Sequence, residues 1–279
     1  MIILPTEKVK PPDIIEPPRL FLYSQPKVGK TSLLAALPNC LIIDLEDGSS
    51  SFEAASINVR KIAQEQFGGN MLAALSEVKK AIVEMNTKAG KRFYDFIAID
   101  TTSALEKMAI DLANSDYRKS NIGKKFEGGN ILTELEYGGG YGWYRDSFTK
   151  LYNSFMSLAN KSLILSGHVK SSSINKGGKD VNVKDIDLIG KAKQIVCSDA
   201  DAIGWLYRGK DYENILSFVT NENDLATGAR AKHLRNREFV ISKMFELDGV
   251  TPFTYDKTNI KKDGIVKTYW EHIYPSIKK

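Results

Sequence analysis

Four short apolar runs mark out the first two thirds of the chain. "RLFLYS" (from Arg19), "CLIIDLE" (Cys40–Glu46), "FYDFIAID" (Phe93–Asp100) and "KSLILSGH" (Lys161–His168) are each brief and almost continuously hydrophobic. Runs of that kind are expected of strands covered on both faces. Between them, "GKTSLLAAL", "NMLAALSEVKKAIVEM" (Asn70–Met85), "SALEKMAIDLAN" and "WYRDSFTKLYNSFMSLAN" repeat apolar residues at helical spacing. Strand and helix in alternation predict an α/β fold with a mostly parallel central sheet and helices on both faces. Beyond His168 the pattern changes. "DAIGWLYR" and "ENILSFVT" flank "GKDY" as a hairpin would, so antiparallel edge strands are expected toward the C-terminus. Pro11-Pro12 and Pro17-Pro18 fix φ and remove donors. Residues 1–18 therefore read as an extended arm, 19–240 as the core and 241–279 as a C-terminal appendage without an assignable role.

Composition narrows this little. The 279 residues are 42% hydrophobic, enough to build a large core. A formal net charge of +5 permits an anionic partner without requiring one. Cys40 and Cys197 show no metal or redox spacing and read as reduced packing residues. "MIILPTEKVKPP" is too short and too charged for a signal peptide, and no apolar run approaches the ~18 residues of a membrane span. The expected location is the cytoplasm.

The chemistry begins at "SQPKVGKTS". The phosphate-loop pattern G-x-x-x-x-G-K-[ST] is matched everywhere except at its first glycine, where Ser24 stands. The strand before it and the helix after it are in place. Ser24, Gln25, Pro26, Lys27, Val28, Gly29, Lys30, Thr31 and Ser32 form the expected nucleotide cradle. Gly29 lets backbone amides approach phosphate at a helix N-terminus, Lys30 would meet the β- and γ-phosphates, and Thr31 would hold Mg²⁺. The first glycine mainly starts the turn, which serine also tolerates. In "FIAIDTTSAL", Asp100 ends an apolar strand, where it would share the metal with Thr31. A helix cap is the alternative reading of Asp100.

Thr101, not glutamate, follows Asp100, so an activating base must come from elsewhere. "CLIIDLEDG" offers Glu46, with Asp44 as the alternative and a plain acidic turn as the bland reading. Here the chain resembles RecA-type recombinases, whose catalytic glutamate follows the second strand. The resemblance implies that Glu46 polarises the attacking water. It also implies that His168, at the end of "LILSGH", is the polar sensor of the γ-phosphate. Taken together, "SQPKVGKTS", "IIDLEDG", "IAIDTTSAL", "YGGGYGWYRDSF", "LSGHVK" and "ADAIGWLYR" are similar to phage-encoded RecA-like ATP-binding proteins linked to single-strand annealing and recombination, over roughly residues 18–240.

That resemblance implies DNA-binding loops after the core strands. "SDYRKSNIGKKFEGGN" supplies Lys124 and Lys125, with Tyr117 and Phe126 as aromatics able to stack on bases. "VKSSSINKGGKDVNVKDIDLIGKAK" supplies Lys170, Lys176, Lys179, Lys184, Lys191 and Lys193 and reads as a mobile basic loop. Ordinary solvated loops are the alternative. Gly138, Gly139 and Gly140 read equally as a hinge and as a flexible lead-in to a helix whose Trp143 and Tyr144 pack in the core. In "GARAKHLRNREF", Arg235 and Arg237 loosely resemble the basic finger that ring and filament ATPases of this superfamily offer a neighbour's γ-phosphate, with a solvated basic turn or an extra DNA contact as the alternative.

The expected protein is thus an ATPase using ATP and Mg²⁺ that binds single-stranded DNA as a homo-oligomer. It would promote annealing or strand exchange in phage recombination or replication, beside phage or host proteins of those processes. A helicase-like or helicase-loading motor and a nucleotide-gated scaffold with little turnover are the rivals.

Overall fold

The computed structural model describes residues 15–50, 53–176, 178–210, 213–220, 226–242 and 270–278. Most of the N-terminal arm and most of the C-terminal appendage lie outside the described residues.

Among the described residues, strands and α-helices follow one another as β1 (Arg19–Ser24), α1 (Lys30–Ala35), β2 (Cys40–Asp44), β3 (Ser56–Asn58), α2 (Val59–Gln66), α3 (Met71–Ala89), β4 (Phe96–Asp100), α4 (Thr102–Lys119), α5 (Ile131–Glu134), α6 (Gly140–Met156), β5 (Ser162–Lys176), β6 (Lys179–Ile186), α7 (Gly190–Asp199), β7 (Ala202–Arg208), β8 (Asn214–Ser217), β9 (Gly228–Ala229) and β10 (Glu238–Ser242). The sheet order is β10-β8-β7-β1-β5-β4-β2-β3, with β9 against β7 and β6 against the outer half of β5. The strands from β7 to β3 in that order run parallel; β8, β9 and β10 are antiparallel to their neighbours. The chain is an α/β fold with a mostly parallel central sheet and antiparallel strands toward its C-terminus, as the sequence pattern predicts.

Local chemistry sets several boundaries. Asn58 and Asn70 cap α2 and α3 by accepting the amides of Lys61 and Ala73. Gly90, at φ 63°, ends α3 four residues past Met85. β2 stops at Asp44, before the apolar run ends, because the Asp44 carboxylate accepts the amides of Glu46, Asp47 and Ser49 and turns the chain.

The two faces of the sheet are covered differently. Helices α2, α3, α4, α6 and α7 pack on one face, around Phe148, Tyr152, Ile97 and Leu165. The other face carries α1, the turn around Leu234 and the C-terminal residues Trp270, Ile273 and Tyr274, all three fully buried. Trp270 Nε1 donates to the Leu33 carbonyl at 2.9 Å and Tyr274 to Ser162 Oγ at 2.9 Å. The end of the C-terminal segment is therefore core, and the helices are unequally shared between the faces. Trp270 and Ile273 lie on a helical turn at 270–273 that packs on this face.

The segment following His168 differs from a mobile loop. β5 runs eight residues past His168 and pairs with β6 as a ribbon, in register from Val169↔Ile186 to Lys176↔Lys179. The physical signal is period-two alternation: Val183 is buried between exposed Asn182 and Lys184. Gly178, at φ 84°, serves the turn.

Candidate functional site

The parallel strands end along one edge, and register assembles the site there. Ser24 of β1 lies beside His168 of β5, and Asp44 of β2 beside Asp100 of β4. Ligands of open α/β sheets bind outside such carboxyl ends. Between β1 and α1 the loop turns through Lys27 at φ 64° and Gly29 at φ 107°. A side chain at Gly29 would be strained and would meet Asn214.

This loop forms one wall of a cavity of about 340 Å³ whose lining includes Lys27, Lys30, Thr31, Glu46, Asp100 and His168. Thr31 Oγ1 donates to Asp100 Oδ2 at 2.7 Å, and the Ser166 hydroxyl holds the other Asp100 oxygen. Asp100 is thus fixed from two sides, and the helix-cap reading gives way to a position beside the phosphate loop. The hydroxyl and carboxylate are hard oxygen donors, the type Mg²⁺ takes together with phosphate oxygens and water. Among the described residues no group of three or more His, Cys, Asp or Glu could hold a metal alone.

Lys30 is 7% exposed. Its ammonium donates to Ser24 Oγ at 3.0 Å and lies 3.5 Å from His168 Nδ1. Ser24 thus takes an active part where the pattern's first glycine would have no side chain. Burial lowers the Lys30 pKa, opposed by the Asp100 and Glu46 charges. A desolvated ammonium with so few protein acceptors favours an incoming anion.

Glu46 and Asp44 separate cleanly. Asp44 is 1% exposed and both its oxygens are engaged, Oδ2 by the Ser49 amide and hydroxyl. Burial would raise its pKa, but these bonds hold it below the ordinary value. Asp44 therefore shapes the turn. Glu46 reaches the cavity, with Oε2 3.5 Å from His168 Nε2. The His168 contact lowers the Glu46 pKa against the opposing effect of burial. The Thr101 hydroxyl is buried beside them without a well-formed hydrogen bond, though it is close enough to Glu46 to help lower its pKa.

Other expected residues stay outside this cavity. Arg235 donates to the carbonyls of Ala229 and Arg230. Ala229 pairs with Ala202, which pairs with Leu20 at the start of β1, so Arg235 lies toward the opposite end of that strand. Arg237 is exposed nearby, its carbonyl bound by Phe218 N. Helix α4 leaves Asp100 and runs 18 residues, about 27 Å at ~1.5 Å per residue. Lys124 and Lys125 are exposed beyond its far end, away from the cavity. Tyr117 and Phe126 pack edge-to-face at 5.4 Å, and Tyr117 also meets Trp143 at 5.5 Å. Both rings are half-buried in that cluster.

In the β5–β6 ribbon, Lys170 donates to the Leu188 carbonyl at 3.1 Å and Lys193 pairs with Asp185 at 2.8 Å. Lys184 Nζ lies 3.5 Å from the centre of the Trp205 ring. Lys176 and Lys179 face each other in the register at the ribbon's end. Sequence reasoning missed Trp205 and Tyr207, stacked at 4.3 Å on β7 beside the phosphate loop. Their signal is the W-x-Y spacing, which puts both rings on one face of a strand.

No curated protein sequence matches the chain. Among solved structures, the RadB recombinase aligns over 81% of this chain and 89% of its own, at 13% identity and a TM-score of 0.37. A family model described as an AAA domain matches residues 16–234, more than three quarters of the 279, and the chain belongs to that family of P-loop NTPases.

Proposed function

We propose that the chain is an ATPase that binds and hydrolyses ATP with Mg²⁺ and couples this to binding single-stranded DNA. The observation that carries the nucleotide chemistry is the 2.7 Å contact between Thr31 Oγ1 and Asp100 Oδ2, which joins two motifs 69 residues apart. Lys30 and the amides at the start of α1 would hold the phosphates, and Thr31 and Asp100 the metal. Mg²⁺ would neutralise charge on the β- and γ-phosphate oxygens. Glu46 would orient the attacking water in line with the γ-phosphate and take its proton. His168, 3.5 Å from both Lys30 and Glu46, would register the presence of that phosphate.

Because β5 continues from His168 into the ribbon, a change at the γ-phosphate has a short covalent path to basic residues. This supports the reading as a DNA-binding protein of recombination or replication, in the phage context that the sequence resemblance suggests. In a ring or filament, Arg235 or Arg237 would face a neighbouring subunit, since neither reaches its own cavity. A motor role is the competing reading and would show unwinding.

The test is ATP turnover with and without single-stranded DNA, for the wild type, Lys30→Ala and Glu46→Gln. Lys30→Ala should lose ATP binding, while Glu46→Gln should bind ATP without turning it over. Wild-type ATP affinity in Lys30→Ala would sink the nucleotide assignment.

A further inference from the structure

A second cleft lies on the other side of the phosphate loop. It measures about 580 Å³ and is lined by Gln25–Val28 of that loop, Val169 and Lys184 of the ribbon, and Trp205, Tyr207 and Arg208 of β7. The lining contains three cations and no acidic residue. Trp205 and Tyr207 stack at 4.3 Å with an interplanar angle of 16°, and the Lys184 ammonium rests on the Trp205 ring. Tyr207 is oriented by a 3.1 Å bond to Glu238, outside the cleft. Trp205 Nε1 is buried and finds no acceptor among the described residues. Arg208 reaches the Lys27 carbonyl at 3.4 Å, so the cleft's rim is tied to the phosphate loop.

We propose that this cleft receives one nucleotide of a single strand of DNA, its base against the Trp205–Tyr207 pair and its flanking phosphates on Lys27, Lys184 and Arg208. The inference rests on the reading of the chain as a DNA-binding ATPase. Charge selects an anionic ligand, and paired rings select one with a flat π-face; a nucleic-acid strand has both at every residue. Lys184 marks the place of the base. The Trp205 ring is half-buried, and an arriving base would take the place of the Lys184 ammonium on it, turning that ammonium toward a phosphate.

Residues 25–28 are the common wall of the two cavities. Nucleotide in one therefore biases the wall of the other, and ATP should tighten DNA binding by the same factor as DNA tightens ATP binding.

The experiment is fluorescence anisotropy with the full chain and a labelled thymidine oligonucleotide, with and without a non-hydrolysable ATP analogue. Trp205→Leu should weaken DNA binding about tenfold or more, while Trp205→Phe keeps a π-face and most of the affinity. Affinity for the ATP analogue in the absence of DNA, read by calorimetry, should stay within about twofold in both variants, which also reports a folded phosphate loop. On an abasic oligonucleotide of equal length, wild type and Trp205→Leu should bind alike. If the wild type binds DNA and Trp205→Leu binds it equally well, the cleft assignment is overturned while DNA binding stands. Absence of binding by the wild type, at low salt and with the ATP analogue, overturns both. Equal losses for Leu and Phe, or a loss that persists on the abasic strand, reject stacking as the basis of recognition.

Discussion

Glu46 Oε2 lies 3.5 Å from His168 Nε2, and the other ring nitrogen of His168 lies 3.5 Å from the Lys30 ammonium. Lysine can only donate, so Nδ1 accepts and Nε2 carries the proton that faces Glu46. One imidazole thus joins the phosphate-binding cation to the candidate base. Removing the γ-phosphate would change the company of Lys30 and, through His168, that of Glu46.

A pH profile tests this link. The His168 contact, the largest influence, holds the Glu46 pKa below the ordinary glutamate value. The carboxylate needed for turnover therefore persists as pH falls below that value, and the acid limb of kcat should lie there. His168→Ala should move the limb upward, because burial then acts with less opposition. An unmoved limb in the residual turnover of that variant would separate His168 from Glu46.

Glu46→Gln should lower turnover by about 10²-fold or more, the scale of a lost general base, with ATP affinity retained. Asp44→Asn should instead act on stability, since it weakens the turn held by Ser49. Turnover normalised to folded protein distinguishes the two carboxylates.

Asp100→Asn should preserve metal-free nucleotide binding and weaken the tightening brought by Mg²⁺. The amide keeps the shape but loses the charge that a hard cation requires. Calorimetry of a nucleotide analogue across a magnesium titration reads this directly.

Glu106 predicts a second pH dependence, in stability. It lies on α4 and accepts from the Tyr144 hydroxyl of α6 and the Ile189 amide before α7. Burial raises its pKa despite these bonds. Its contribution to stability is fully present below the unfolded glutamate value and is lost as pH rises through the raised one. Glu106→Gln keeps the accepting oxygen without the charge. Urea denaturation from about pH 4 to about pH 8 should show the variant gaining on the wild type as pH rises. A pH-independent difference would show that the carboxyl does not titrate across that window.

The phosphate loop and the metal strand were legible because each is contiguous: "SQPKVGKTS" and "FIAID" carry their chemistry within a few residues. The choice between Asp44 and Glu46 was not, because it depends on Ser49 and on which carboxylate the turn consumes. Aromatic residues misled for a related reason. Tyr117 and Phe126 look available in sequence, yet they pack on each other, and Tyr117 also meets Trp143 of another helix. Trp205 and Tyr207 sat within an apparent hairpin strand whose outer face only the β5–β6 ribbon defines. The ribbon itself was hidden because lysines, serines and glycines suggested a loop more strongly than the two valines suggested alternation.

The hydrogen bond from Trp270 to Leu33 spans 237 residues. On the opposite face, helices α3, α4 and α6 meet strands near them in the chain, contacts that close short loops at low entropic cost. Folding order follows from this difference. The side bearing α3, α4 and α6 can condense while the polypeptide is still growing, whereas the side bearing α1 waits for Trp270 and Tyr274. Helix α1 carries Lys30 and Thr31, so competence to grip a phosphate would await the segment around Trp270. Its unfinished form would present a bare apolar sheet face, Leu20, Ile42, Phe96 and Ile164 among it, to whatever chaperone or neighbouring chain arrives first.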